Sequence, residues 1–256
     1  MLFLPILSLL LTVAASDGAS ASDSPPSDLG TLIQDNFVSP DILSPTWIND
    51  PCCPNNLNAV QFAAKLNSKA LPAILAAGGS PTQMHEETQT SPLHFACREG
   101  SWQSAKELLL SLPAAARAKE IARLDEHGNN ALHLAALTGQ VAVATLLIKH
   151  SDTDLAFLTA VNGNGNTPLQ IGAYFGFEKF LLKLLNQPSV VATMNDLAPN
   201  GRNALTLAVS NNQAKAVQAL LLAGADASSP VSAADLAVEK GHDAILNVLV
   251  NPHQEL

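Results

Sequence analysis

The stretch Asp125-Glu126-His127-Gly128-Asn129-Asn130-Ala131-Leu132-His133-Leu134-Ala135-Ala136, followed shortly by Gly139, carries two structural instructions in succession. Its first half is polar and holds a glycine where a tight turn needs positive φ. Its second half opens on Asn130, a residue type whose side chain caps helices, and then sets Leu132, Leu134 and Ala135 at inner helical positions. The segment predicts a turn that leads directly into a helix, which Gly139 then ends.

The helical half recurs six times, as Asn58-AVQFAA, Ser91-PLHFAC, Asn130-ALHLAA, Thr167-PLQIGA, Asn203-ALTLAV and Ser232-AADLAV. The third positions, Val60, Leu93, Leu132, Leu169, Leu205 and Ala234, are separated by 33, 39, 37, 36 and 29 residues. After each comes a second apolar run with a leucine cluster: ALPAILAAGG, AKELLLSL, VATLLIKH, KFLLKLL, AVQALLLAGAD and AILNVLV. Two short helices cannot bury their own apolar faces, so such units acquire a core only by stacking. Thr167 and Ser91 stand at N-cap positions, with Pro168 and Pro92 at the first helical residue, where a missing N–H costs nothing.

This pattern resembles the ankyrin repeat, whose signature T-P-L-H-x-A belongs to a unit of one β-turn and two helices. The resemblance covers about residues 56 to 251. It implies an all-α solenoid of about six helix-turn-helix units with β-turn fingers. The segments before it are a signal-like stretch, 1–21, and a Ser/Pro/Asp-rich linker or N-terminal cover, 22–55; a short tail, 252–256, follows. The resemblance also assigns His94 and His133, both at the fourth signature position, to turn stabilisation by hydrogen bonding and not to catalysis.

Family members generally recognise partners through fingertips and first helices. Carried over by position, this gives Glu126, His127 and Asn129 in the third repeat, Asn164 and Asn166 in the fourth, and Asn200 and Arg202 in the fifth. On the first helices the corresponding residues are Arg98, Glu99, Leu137, Thr138, Tyr174, Phe175, Ser210 and Asn211. Tyr174 and Phe175 are the sharpest choice, because aromatic side chains carry binding energy at interfaces. The competing reading packs Phe175 under the neighbouring finger. The groove so defined is Asn-rich and weakly charged, which predicts a partner held by shape and neutral hydrogen bonds.

Three departures from the repeat carry their own expectations. The second repeat has Glu86-Glu87-Thr88-Gln89-Thr90 in place of a turn glycine, so its finger should be irregular. Its tail, Leu112 to Asp125, is overlong and rich in helix formers, predicting extended helix ends. The last repeat is short, predicting a truncated finger and capping behaviour.

Met1 to Ala15, MLFLPILSLLLTVAA, followed by small residues, looks like a secretory signal, although no Lys or Arg precedes the apolar run. A cleaved signal, an uncleaved anchor and a buried segment are the three readings. The first predicts a periplasmic or extracellular protein with no membrane span after cleavage. The C-terminal His253-Gln254-Glu255-Leu256 differs at one position from the retention signal HDEL and would place the chain in the endoplasmic reticulum lumen. A cytoplasmic location is the alternative. Between these ends, Leu32, Ile33, Phe37, Ile42, Leu43, Trp47 and Ile48 supply enough apolar surface for the 22–55 segment to dock on the first repeat.

No GxxxxGK[ST], HExxH or GxSxG string occurs, so no enzyme, cofactor or metal is expected. His85-Glu86-Glu87 reads as solvated polar surface, and Cys97 as a small buried hydrophobe. Cys52 and Cys53 leave three possibilities open: a bond to a third cysteine, an intermolecular bond, or free thiols. A zinc site lacks a second ligand pair. Only 14% of the 256 residues are charged and 47% are apolar, with a net charge of −9. Scattered cations in an acidic chain argue against nucleic acid. The function expected is therefore an exported, non-enzymatic scaffold that binds a protein partner through the concave face of the array; a secreted bacterial effector, or an enzyme using cysteine chemistry at Cys52 or Cys53, is the alternative.

Overall fold

A computed structural model describes residues 25–36, 38–39, 42–151, 155–228 and 232–253. The signal-like stretch, Phe37, most of the C-terminal tetrapeptide and part of the shortened last finger lie outside them. Twelve of the helices form six pairs: α2 (Ala59–Leu66) with α3 (Leu71–Ala76), and α4 (Pro92–Arg98) with α5 (Trp102–Leu110). Next come α7 (Ala131–Thr138) with α8 (Val141–His150), and α9 (Pro168–Phe175) with α10 (Glu178–Leu185). The last are α12 (Ala204–Ser210) with α13 (Ala214–Leu222), and α14 (Ala233–Lys240) with α15 (Asp243–Val250). First helices pack on first helices and second on second, α2 to α4 to α7 to α9 to α12 to α14, so the array is an all-α solenoid. No strand forms among the described residues.

Each first helix from α2 to α12 opens with a reciprocal cap: Asn58 with Gln61, Ser91 with His94, Asn130 with His133, Thr167 with Gln170, and Asn203 with Thr206. Two of the four orphan amides at a helix start are satisfied this way. Four of these N3 side chains also reach across to the next unit. Gln61 Nε2 donates to the Gln83 carbonyl at 3.1 Å, His94 Nε2 to Arg123 at 3.0 Å, His133 Nε2 to Asn166 at 3.0 Å, and Gln170 Nε2 to Asp196 at 3.0 Å. His94 and His133 thus stabilise turns, as the resemblance implies. Burial holds both histidines neutral: His94 lies below its ordinary pKa and His133 falls to about 4. Thr206 is too short for the reach and bonds back to Asn203 at 3.1 Å.

Among the described residues, three helices lie outside the pairs. The extended helix ends expected from Leu112 to Asp125 are not found: the preceding helix stops at Leu110. Pro113, with φ −65 and ψ 155, breaks away from α5 and starts a separate helix, α6 (Ala114–Ala122). It buries Ile121 and Glu120, and the Glu120 carboxylate lies 2.8 Å from Nε of Arg123 at the end of the same helix. Burial raises the Glu120 pKa despite the pull of Ser91 and Arg123. A second inserted helix, α11 (Pro188–Thr193), buries Val190. The third, α1 (Leu29–Gln34), packs on α2 and buries Leu29 and Ile33; Leu43, Trp47 and Ile48 of the same cover are buried too. Ser68 Oγ fastens this cover by donating to the Ile33 carbonyl at 2.9 Å.

Candidate functional site

The fingers are built alike. In the third, Asp125 N donates to the Asn129 carbonyl at 2.9 Å, and the Asp125 carboxylate accepts from His127 N and Asn129 N. In the fourth, Asn162 N donates to Asn166 at 3.0 Å while Asn162 Oδ1 accepts from Asn164 N and Asn166 N. The fifth closes through Ala198 N and the Arg202 carbonyl at 2.9 Å. Adjacent fingers touch: Gly163 N donates to the His127 carbonyl at 2.8 Å, and Asn162 Nδ2 to Asn129 Oδ1 at 2.9 Å. A Cβ on Gly163 would stand 2.6 Å from that His127 oxygen, so the approach requires glycine. The second finger is longer by one residue, closing from His85 N to Thr90, and Gln89 takes the left-handed conformation (φ 49) in a turn without glycine.

Against the fourth and fifth fingers the first helices leave a cavity of about 300 Å³. Seven of the sequence-selected residues line it: Leu137, Asn164, Asn166, Tyr174, Phe175, Asn200 and Arg202. Tyr174 is 46% exposed and Phe175 44%. Their rings meet edge to face at 5.0 Å, and Phe175 stacks on Phe177 at 5.7 Å. Phe175 therefore does not vanish under a finger; it forms part of an aromatic wall. Asn200 Oδ1 accepts from Arg202 N at 3.0 Å, which fixes the fifth fingertip at the rim. The arrangement offers apolar contact on one side and neutral donors and acceptors on the other. It offers no activated nucleophile.

The other selected residues stand elsewhere. Arg98 lies 3.9 Å from the buried Asp125 carboxylate, and the Thr138 hydroxyl donates to the Arg98 carbonyl. Glu99, Glu126 and His127 are exposed, the last two 3.7 Å apart. Ser210 Oγ and Asn211 Nδ2 donate back to the Thr206 and Leu207 carbonyls of their own helix. Asn129 is buried, not a fingertip contact: its amide is used on Asp125 Oδ2 and Asn162, and it braces the finger from inside. His85 is likewise not solvated surface. It is buried, with Nδ1 at 3.0 Å from the Thr88 hydroxyl and Nε2 at 3.1 Å from the Asn55 carbonyl, tying the second finger to the cover. Glu86 and Glu87 beside it are exposed.

Sequence reasoning missed Asn162, Gln170, Ile171 and Leu207 in the cavity wall. Ile171 and Leu207 read as core by periodicity and are nearly so. Only the polar Asn162 and Gln170, next to selected residues, carried a signal that could have found them. Cys97 is fully buried, and all three cysteines are free thiols. No cluster of three or more metal-ligating side chains occurs among the described residues. No helix among them is long and apolar enough to cross a membrane.

A family model for ankyrin repeats in three copies matches residues 57–157, 110–196 and 152–231. The B-cell lymphoma 3 protein homolog of Mus musculus is 28% identical over 152 residues, covering 59% of this chain and 32% of that protein. The nuclear factor NF-kappa-B p105 subunit of Gallus gallus is 29% identical over 141 residues, 55% of this chain and 13% of that protein. The chain thus spans a third or less of the curated relatives it matches. The human ASB11 ankyrin repeat domain superposes with a TM-score of 0.64 at 20% identity, over 78% of this chain and 86% of that one.

Proposed function

The chain belongs to the ankyrin-repeat family, and from that premise we propose that it is a non-enzymatic scaffold that grips a protein partner in the groove between its third and fifth repeats. Ankyrin repeats are in general protein-interaction modules. One observation carries the reading to a place: Leu137, Tyr174, Phe175, Asn164, Asn166, Asn200 and Arg202, from three repeats, meet around one cavity. Large half-exposed aromatics beside fixed polar groups are the composition of an interface hot spot. With Arg202 the only charged group in the wall, the partner is held by shape and uncharged hydrogen bonds, and its capture depends little on salt.

The test uses the full chain immobilised in an extract of its native source. Proteins retained by the wild type are lost from the Tyr174→Ala, Arg202→Ala double variant, whose stability stays within about 0.5 kcal/mol because both changes are at the surface. Undiminished retention by the double variant overturns the assignment. The reading includes export, which rests on the apolar run from Met1 to Ala15. Sequencing the N-terminus of the mature protein tests it: a start after Ala15 or Ala21 supports export, and an intact Met1 opposes cleavage.

A further inference from the structure

Cys52 and Cys53 sit where the cover meets the first repeat. Both backbone N–H groups donate to the Leu57 carbonyl, at 3.1 and 3.0 Å, so residues 52–57 form a closed turn. On one side Cys53 Sγ faces Gly30 of α1, 3.9 Å from where a Cβ there would stand; on the other, the turn's Asn55 carbonyl is held by His85. Adjacent side chains on an extended backbone ordinarily point to opposite sides. Here the two thiols instead converge, with their sulfurs 3.0 Å apart. They are only partly buried, between exposed Pro51 and Pro54, so a small reagent has access. Cys97, the third cysteine, is sealed inside α4. A disulfide bond is about 2.05 Å long, so closure brings the sulfurs together by about 1 Å; because neighbouring Cα atoms stand only about 3.8 Å apart, the bond is strained and readily reduced.

We propose that Cys52 and Cys53 are a reversible oxidation site, an adjacent dithiol that low-molecular-weight disulfides convert into an eight-membered ring. The two thiols are not equivalent. The hydrogen bond between the two sulfurs holds the Cys52 thiol below its usual range against burial and Asp50, while the same bond and burial push Cys53 up. Cys52 is therefore the attacking group, because the thiolate is the nucleophile. Its thiolate attacks one sulfur of the disulfide RSSR, forming Cys52–S–SR and expelling RS⁻, which takes a proton from water. Cys53 then gives up its proton, attacks Cys52 Sγ and expels the second RS⁻, which is protonated in turn. The protein dithiol is oxidised by two electrons and RSSR is reduced to two RSH. An excess of RSH reverses both steps. The ring stiffens the turn whose Asn55 carbonyl anchors His85, so the redox state is felt at the second finger.

The experiment treats the reduced full chain with oxidised glutathione under native conditions, traps remaining thiols with iodoacetamide, and reads intact mass and peptide maps. The expected product has lost two hydrogen atoms, located on the peptide that carries Cys52 and Cys53, and retains no glutathione. Cys97 alkylates only after denaturation. The Cys53→Ser and Cys52→Ser variants each stop with one glutathione on the remaining cysteine, because neither has a second sulfur to expel it. The wild-type result alone decides, whatever the variants do to folding. Glutathione retained on either cysteine, a disulfide-linked dimer, or two alkylated thiols at the end of the incubation overturns the proposal.

Discussion

Trp47 and Tyr174 are both large aromatics outside the repeating helix-pair core, and the fold treats them oppositely. Trp47, in the N-terminal cover, is 1% exposed as part of the continuous apolar core; Tyr174, on the first helix of the fourth repeat, is nearly half open beside Phe175. At the array's start a run of chain outside the repeats is laid over the first unit's apolar face, whereas in the middle Leu137, Tyr174 and Phe175 stay open around a cavity. The first aromatic thus contributes to folding. The second is left for something other than folding.

The sharpest way to break this contrast is to truncate both residues. Trp47→Ala leaves a large hole under the cover and should cost about 3–5 kcal/mol, read from the urea midpoint at constant m. Tyr174→Ala should stay within about 0.5 kcal/mol. Equal costs would mean that the groove wall is core.

Acid is expected to act next most strongly, through the buried latches. The folded-state pKa of His133 is about 4, against 6.5 in the unfolded chain. The unfolded state therefore binds more protons between these values, and stability present above pH 6.5 is lost as pH falls to about 4, by on the order of 3 kcal/mol. His94 is shifted the same way. Glu120, with its pKa raised, works in the opposite sense, its contribution being lost as pH rises. Replacement by glutamine separates the histidine: Gln61 and Gln170 already make the same cross-repeat bond. His133→Gln should hold stability near neutral pH and flatten its decline in acid, as thermal melts across pH 4–7 would show. An unchanged slope would assign the acid response to other groups.

A smaller effect sharpens the groove side. Gly163→Ala puts a methyl against the His127 carbonyl and should cost about 1–3 kcal/mol by forcing the third and fourth fingers apart. Because Asn164 and Asn166 ride on that finger, partner affinity should drop with it, while the same cost imposed at Trp47 should leave the affinity of the folded fraction intact.

Much of this was legible in the sequence, for a physical reason. Caps, turn glycines and inner leucines obey local rules, and six copies of one local rule specify the stack. The seven cavity residues were found because fingertips and first-helix outer positions are fixed by the repeat register. What failed was direction and breakage. Asn129 occupies a fingertip position, but Asp125 and Asn162 turn its amide inward, a tertiary demand that a single finger does not reveal. His85 was hidden in the same way, since its partner Asn55 is thirty residues away. The alanine-rich run after Leu112 favours helix throughout, and only Pro113 shows that the helix is a new one.

The most direct measurement is amide hydrogen exchange of the full chain, with and without the partner recovered in the capture experiment. Slowed exchange in the fourth and fifth fingers, at Asn164 and at Gly201-Arg202, and at the end of α9 near Tyr174 and Phe175, with the second finger from Gln83 to Thr88 unchanged, is the predicted result. Slowing at the second finger with no change at Asn164 or Arg202 would contradict the account.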